Sequence, residues 1–359
     1  MLKFKIYLSD EGYGHIVRQK AVSQKLKELS NNQIDFTVQT ERNLEVAKEI
    51  FSACTFIKKY NNINWAKNND GSPNIDIISK NLSLYPNKFQ NYLENEEGLE
   101  DYNFIISDFV YEAFALAYSA NKPAFGIAHF TWGWFFSKLV NKNLYKQTFK
   151  LFEDSIEKSK KIYFPPFTPN EIIKKYKNIV NVPLIIRESK MENLEISRNC
   201  FNILIVDSGS GLLKNYINHA MSLVGGLNEI RFFVGNGYNS NSENIVALKK
   251  GELMLNYIEH MDLVIGRAGF NTISECIALR KPMLLLGESF NPEIDQNISM
   301  LKKEGLGSFI SLDQFTFGLD KFLPNFLKTE YSNLEINMKN HSIQTNGSEV
   351  IANDILNSI

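Results

Sequence analysis

The chain has 359 residues, 44% hydrophobic and 22% charged, with 39 basic and 40 acidic side chains and a net charge of −1. That length suits two domains with a sizeable core, and the even charge balance excludes global steering towards nucleic acid or anionic lipid. Cys54, Cys200 and Cys276 lie far apart in no metal-ligand spacing, the first residues lack a long apolar signal segment, and no stretch approaches the roughly 18 apolar residues of a membrane span; a cytoplasmic protein in a reducing compartment is expected.

Leu2, Phe4, Ile6 and Leu8 alternate as a strand, and Ser9 to Gly14 reads as a turn. His15 opens a helix to about Leu29, with Val17, Ala21, Val22, Leu26 and Leu29 inward. Asp35 to Thr40 is a second strand and Glu41 to Phe51 a helix, so the rhythm predicts a parallel sheet. Residues 58–100 are polar and irregular, and loops with short helices are expected there. Phe104 to Ser107 is a buried strand ending at Asp108, Tyr111 to Ser119 a helix, and Pro123 to Ile127 a strand ending at Ala128-His129. The dense aromatics of Phe130 to Phe136 read either as core or as an acceptor platform that could also touch a lipid-linked acceptor. Phe164 to Pro169 breaks the pattern, and Asn181 to Cys200 reads as the interdomain linker. Asn202 to Val206 starts a second sheet, followed by the Gly-rich turn Asp207 to Gly211, a helix through Tyr216 and Ala220, and a strand Arg231 to Gly235. Strand and helix alternate to about Lys328, and a last helix runs from Ser348 to Ile359.

The most informative stretch is Asp262 to Pro282. Leu263, Val264 and Ile265 form an unbroken apolar strand; Gly266 and Gly269 bracket a turn where the backbone takes positive φ or approaches a ligand; Ile273, Cys276 and Ile277 follow at helical spacing. Met283 to Leu286 is the next strand. The free N–H groups and dipole of the helix start favour an anion, and Arg267 adds a cation. Glu275, one turn in, could accept hydrogen bonds from a ribose diol. Together these read as a nucleotide diphosphate site, while Thr272-Ile-Ser-Glu275 alternatively fits a capping box that needs no ligand.

Gly269-Phe-Asn-Thr-Ile-Ser-Glu275 resembles the Gly-Trp-Asn-Ser-x-x-Glu core of nucleotide-sugar glycosyltransferases, and Arg267-Ala-Gly269 with Thr-x-x-Glu resembles the MurG-type branch. In the plant-type signature a histidine stands where Arg267 stands here. The resemblance implies an α/β GT-B architecture, two Rossmann-like domains of parallel sheets facing a cleft: residues 1–190 for the acceptor, 200–345 for the donor, and 346–359 crossing back onto the first. It implies Glu275 on the ribose and Gly269, Asn271 and Thr272 near the diphosphate. Asp207-Ser208-Gly209-Ser210-Gly211 resembles the family's Gly-rich donor loop. Asp295-Gln296 resembles the pair that binds sugar hydroxyls, although Asp295 also fits an ordinary helix N-cap.

Gly12-Tyr-Gly14-His15-Ile-Val-Arg18 resembles the family's first-domain loop, where a Gly-His pair carries the base. His15 sits past the first strand at a helix start, and Asp108 ends another strand of that sheet, so its carboxylate could orient the ring. His129 is the rival partner or, with Trp132 and Trp134, an acceptor contact; Asp10 and Glu11 are further bases. No Asp-x-Asp occurs, so a metal-free site without cofactor is expected, leaving-group charge falling to the helix start and Arg267. The expected partners are a UDP-linked sugar and a glycan, lipid-linked or small-molecule acceptor, with peripheral contact at the inner membrane face for a lipid-linked one. Gly-Tyr-Gly-His-Ile-x-Arg also resembles the PseG-type hydrolases, in which the histidine would activate water. A non-hydrolysing epimerase and a nucleotide-sugar-binding protein without turnover are the other readings.

Overall fold

The computed structural model describes residues 1–51, 53–60, 65–68, 71–188, 196, 199–207, 213–235, 238, 242–248, 254–287 and 290–358. The chain divides into two compact units, Met1–Arg187 with Thr345–Ile359, and Glu188–Gln344.

The first unit runs β1 (Leu2–Tyr7), α1 (Gly14–Leu29), β2 (Ile34–Thr40), α2 (Leu44–Ile50), β3 (Thr55–Lys58), α3 (Ile75–Glu94), β4 (Phe104–Ser107), α4 (Tyr111–Ser119), β5 (Ala124–Ile127), α5 (Trp132–Ser137), α6 (Lys146–Glu157), β6 (Lys161–Phe164), α7 (Asn170–Ile173) and β7 (Ile179–Asn181). Its seven strands are parallel in the order β3-β2-β1-β4-β5-β6-β7. Alternation on β1 divides two cores: Phe4 and Ile6 pack with α1, while Tyr7 joins the cluster under α3 and α4. The inward stripe of α1 is Ile16, Ala21, Val22 and Leu26, with Arg18 and Gln19 buried beside them; Val17 is only half-buried and Leu29 is exposed. Three buried polar side chains, Arg18, Gln19 and Ser23, thus interrupt the purely apolar stripe expected for that helix.

The expectation of short helices between 58 and 100 is wrong: α3 is 20 residues long. Asn74 caps it by accepting from the Ile77 N–H at 3.0 Å, and Ile78, Leu82, Tyr85 and Phe89 form its buried stripe. Pro86 lies inside, so the Leu82 carbonyl has no helical donor four residues on. The Thr148 hydroxyl donates to that carbonyl instead, at 2.6 Å.

The second unit runs β8 (Phe201–Val206), α8 (Lys214–Leu223), β9 (Ile230–Val234), β10 (Ile245–Ala247), α9 (Met254–Ile258), β11 (Leu263–Arg267), α10 (Phe270–Ala278), β12 (Met283–Leu286), α11 (Pro292–Glu304), β13 (Ser308–Ile310), α12 (Leu312–Thr329) and α13 (Tyr331–Asn340). Among the described residues its six strands are parallel in the order β10-β9-β8-β11-β12-β13. In both sheets the order reverses beside the first strand, at β1/β4 and at β8/β11. Open α/β sheets bind ligands at such switch points, past the carboxyl ends of the strands.

The last helix, α14 (Gly347–Leu356), belongs to the first unit, where Ile351, Ala352 and Ile355 join the core of Phe4, Ile6 and Val22. Its start is tight. The Gly347 N–H donates to the Leu184 carbonyl at 2.9 Å, and a Cβ on Gly347 would lie 2.1 Å from the Pro183 oxygen. Gly347→Ala must therefore shift backbone, at about 2 kcal/mol, and lower the thermal midpoint by roughly 5 °C. An unchanged midpoint would mean that the helix start moves freely.

Candidate active site

The β1–α1 turn and the end of β4 flank the first switch point. Gly12 takes φ +78°, which only glycine adopts at little cost. Asp10 is buried and accepts from the Thr40 hydroxyl at 2.6 Å and from the N–H groups of Glu41 and Arg42 at 2.9 Å each. All three bonds fall on Oδ1, which holds the β2–α2 turn. Glu11 accepts from Arg42 Nη1 at 3.2 Å and from the Trp65 N–H at 3.3 Å, and burial raises its carboxyl above the usual range against the pull of Arg42.

Gly14 is the first residue of α1 and His15 the second. The His15 Nδ1 lies 2.6 Å from Asp108 Oδ2. Arg18, one turn further along α1, donates from Nη2 to Asp108 Oδ1 at 2.6 Å, and its Nη1 lies 3.0 Å from His129 Nδ1. Asp108 is fully buried. Burial alone would raise its pKa, but the Arg18 cation and the His15 ring hold it at about 2. The next residue, Phe109, has φ +54°, rare for a bulky side chain. The Ser107 hydroxyl, paired with Val110 N–H and carbonyl at 2.9 Å each, closes this strained turn around Asp108.

All five aromatics of 130–136 are buried. The Trp132 ring lies 6.1 Å from the His15 ring at 28°, and Trp134 Nε1 donates to Glu171 at 3.2 Å. His129 is buried at the end of β5. The structure thus brings His15, Asp108, Arg18, His129 and Trp132 together.

In the second unit the turn after β11 begins with Arg267, half-buried at the strand end. Gly266 and Gly269 do not take positive φ, contrary to one reading of the turn. Gly266 is needed because a Cβ there would sit 2.8 Å from the Val206 carbonyl, across the β8–β11 pairing. Gly269 is the N-cap of α10 at φ −74°, and a Cβ on it would meet no atom within 4 Å. The helix starts at Phe270 without a side-chain cap, so the capping box expected at Thr272 does not form and the first-turn N–H groups are those of 270–272. Asn271 and Thr272 are half-buried, and Glu275 is buried.

The N-cap of α11 is Asn291, which accepts from the N–H groups of Glu293 and Ile294; Asp295 therefore is not the cap. Asp295 is exposed and Gln296 half-buried on its first turns. Asn297, buried, donates to the Ala268 carbonyl at 2.9 Å and ties α11 to the Arg267–Gly269 turn. Ser208, Gly209, Ser210 and Gly211 lie outside the described residues. Asp207, just before them, accepts from the Leu213 N–H at 3.2 Å and from the Tyr238 hydroxyl at 3.3 Å. Among the described residues no three His, Cys, Asp or Glu are placed to hold a metal ion, and no helix is long and apolar enough to cross a membrane.

Arg18, Asn291 and Asn297 are the residues whose parts sequence reading missed.

Two doubly wound parallel units, each with its candidate residues at the switch point, define the GT-B class of fold. Solved structures agree along the whole chain. The calicheamicin glycosyltransferase CalG4 superposes with a TM-score of 0.69 at 12% identity, covering 99% of this chain and 98% of that one. MurG of Acinetobacter baumannii gives 0.60 at 14%, covering 100% of both chains. The Streptomyces sp. SF2575 glycosyltransferase SsfS6, complexed with thymidine diphosphate, gives 0.64 at 10%, covering 100% of both. Residues 205–355 match the glycosyltransferase family 28 C-terminal domain. The UDP-N-acetylglucosamine–N-acetylmuramyl-(pentapeptide) pyrophosphoryl-undecaprenol N-acetylglucosamine transferase of Clostridioides difficile (strain 630) is 27% identical over 185 residues, 48% of this chain and 43% of that protein. The chain thus spans less than half the length of this curated relative. The resemblance to GT-B, MurG-like glycosyltransferases rests on a domain, a sequence relative and a fold.

Proposed function

We propose that the protein transfers a sugar from a nucleotide diphosphate donor to an acceptor hydroxyl, with inversion and without a metal. The observation that carries the reading is the 2.6 Å contact between His15 Nδ1 and the buried, ionised Asp108, in a chain that also carries the family 28 C-terminal domain. His15 Nε2 takes the proton from the acceptor hydroxyl. The acceptor oxygen attacks the anomeric carbon from the face opposite the diphosphate, the bond to the diphosphate oxygen breaks, and the nucleotide diphosphate leaves. The first-turn N–H groups of α10 and Arg267 meet the growing negative charge, and the sequence resemblance assigns Ser208, Gly209, Ser210 and Gly211 to the same donor. Glu275 accepts from the ribose diol, and Asp295 and Gln296 contact the sugar hydroxyls. His129, Trp132 and Trp134 border the acceptor. The donor base is uracil; thymidine diphosphate, the ligand of the SsfS6 structure, is the second nucleotide to test. A lipid-linked acceptor, as named for the Clostridioides relative, would bring the protein to the inner membrane face.

Calorimetric titration of UDP and thymidine diphosphate tests the donor half. Wild type is expected to bind one of them, and Glu275→Ala to bind it roughly 10- to 100-fold more weakly through loss of charge-assisted hydrogen bonds, with Glu275→Gln intermediate. Equal affinity in all three proteins would remove Glu275 from the ribose. No binding of either nucleotide by wild type would end the donor reading.

A further inference from the structure

We propose that Arg18 is a positioning residue that sets where the protons sit on both site histidines. It holds His129 as the neutral tautomer with its proton on Nε2, and it leaves His15 with its proton on Nδ1 and a lone pair on Nε2. The part concerning catalysis rests on the reading of His15 as the base; the part concerning tautomers does not.

The chemistry of the guanidinium forces the assignment. Arginine carries five N–H donors and no acceptor. Its Nη1 lies 3.0 Å from His129 Nδ1, so that nitrogen must present its lone pair, and the ring proton goes to Nε2. Its Nη2 donates to Asp108 Oδ1 at 2.6 Å. The other carboxylate oxygen lies 2.6 Å from His15 Nδ1 and accepts that N–H. Nη2 also lies 3.2 Å from His15 Nδ1; with a donor on each side this is a cation beside a ring, not a hydrogen bond. Arg18 is 3% exposed and its Nε has no partner, so the two terminal nitrogens carry its whole interaction.

The charge count gives the consequence. At rest the network holds one anion, Asp108, and one cation, Arg18. When His15 takes a proton, the network gains a second cation 3.2 Å from the first. The groups facing His15 are Asp108 from the end of β4, Arg18 from its own helix, Glu11 from the preceding turn and the neutral Trp132 ring from α5. Arg18 cancels much of what Asp108 offers the imidazolium. The same guanidinium makes His129 a fixed N–H donor beside a fixed acceptor.

The test is nuclear magnetic resonance of imidazole-¹⁵N protein, free of donor and acceptor. The chain has five histidines, so His15→Gln and His129→Gln assign both rings. Wild type should show His129 bare at Nδ1 and protonated at Nε2, and His15 the reverse. Arg18→Met leaves Asp108 a buried unpaired charge and could unfold, so Arg18→Met/Asp108→Asn accompanies it. In either folded variant the His129 signals should average between tautomers. A proton on His129 Nδ1 in wild type, or a His129 tautomer unchanged in the double variant, would overturn the proposal. Because no substrate is present, the tautomers can be as stated even if glycosyl transfer fails, and transfer can be real with the tautomers otherwise.

Discussion

His15→Ala lowers turnover by about 10²- to 10⁴-fold and leaves nucleotide affinity nearly unchanged. That range is what a positioned general base contributes to a rate. The separation of effects follows from placement. His15 lies on the β1–α1 turn of the first unit, whereas Arg267, Gly269 and Glu275 lie on one strand-turn-helix of the second. In the proposed mechanism, removing the imidazole takes away the proton acceptor and leaves the donor-binding residues of the second unit in place. The variant is also expected to fold, because Asp108 keeps its ion pair with Arg18 at 2.6 Å. Steady-state rates with calorimetric nucleotide affinity check both halves. A normal rate would take His15 out of the mechanism; a rate and an affinity that fall together would point to damage reaching both units.

Glu112→Gln raises stability at pH 8 by up to about 3 kcal/mol and flattens its dependence on pH. Glu112 is the second residue of α4, four residues after Asp108; it is buried, and its Oε2 has no hydrogen-bond partner. Burial lifts its carboxyl from 4.5 to about 7; its own N–H and the Tyr85 hydroxyl pull the other way without offsetting this. The folded pKa is thus raised. Below pH 4.5 both folded and unfolded chains carry the proton, and the group costs nothing. Between 4.5 and about 7 the unfolded chain has lost its proton while the folded chain keeps it, so stability falls as pH rises through that window. Glutamine removes the titration. Denaturant unfolding at pH 5 and pH 8 should show wild type losing stability between them and the variant losing less. Equal pH slopes in the two proteins would show that Glu112 has an ordinary pKa.

Much of the fold was legible because the strands are short unbroken apolar runs and the turns carry glycine. The runs 104–107, 263–265 and 283–286 are strands as expected, and the parallel order follows from the helices between them. The region of α3 was not legible. Pro86 and the surrounding asparagines read as breakers, and only a hydroxyl from α6, far away in sequence, supplies the donor that the proline lacks. β6 and β7 escaped for a similar reason: strands of four and three residues on either side of Phe164-Pro-Pro, the second at the sheet edge, carry too little pattern to separate from loop.

At the site, the strand-turn-helix at 263–278 and the position of His15 stood out by motif. The approach of Asp108 to His15 was an inference from strand ends, and the structure puts them 2.6 Å apart. Arg18 illustrates what a sequence hides. A cation one turn past a histidine reads as a solvated helix face, and only the tertiary approach of Asp108 and His129 makes its burial affordable. The capping alternatives at Thr272 and Asp295 failed because Gly269 and Asn291 start those helices instead.

In the proposed reaction an acceptor hydroxyl, not water, takes the glycosyl group. The most direct test measures nucleotide release from a panel of nucleotide sugars with no acceptor and no added metal, comparing wild type with His15→Ala. Firm binding of one nucleotide sugar with little release by either protein is the predicted result. Rapid release that depends on His15 and approaches complete conversion would contradict it and make the protein a nucleotide-sugar hydrolase.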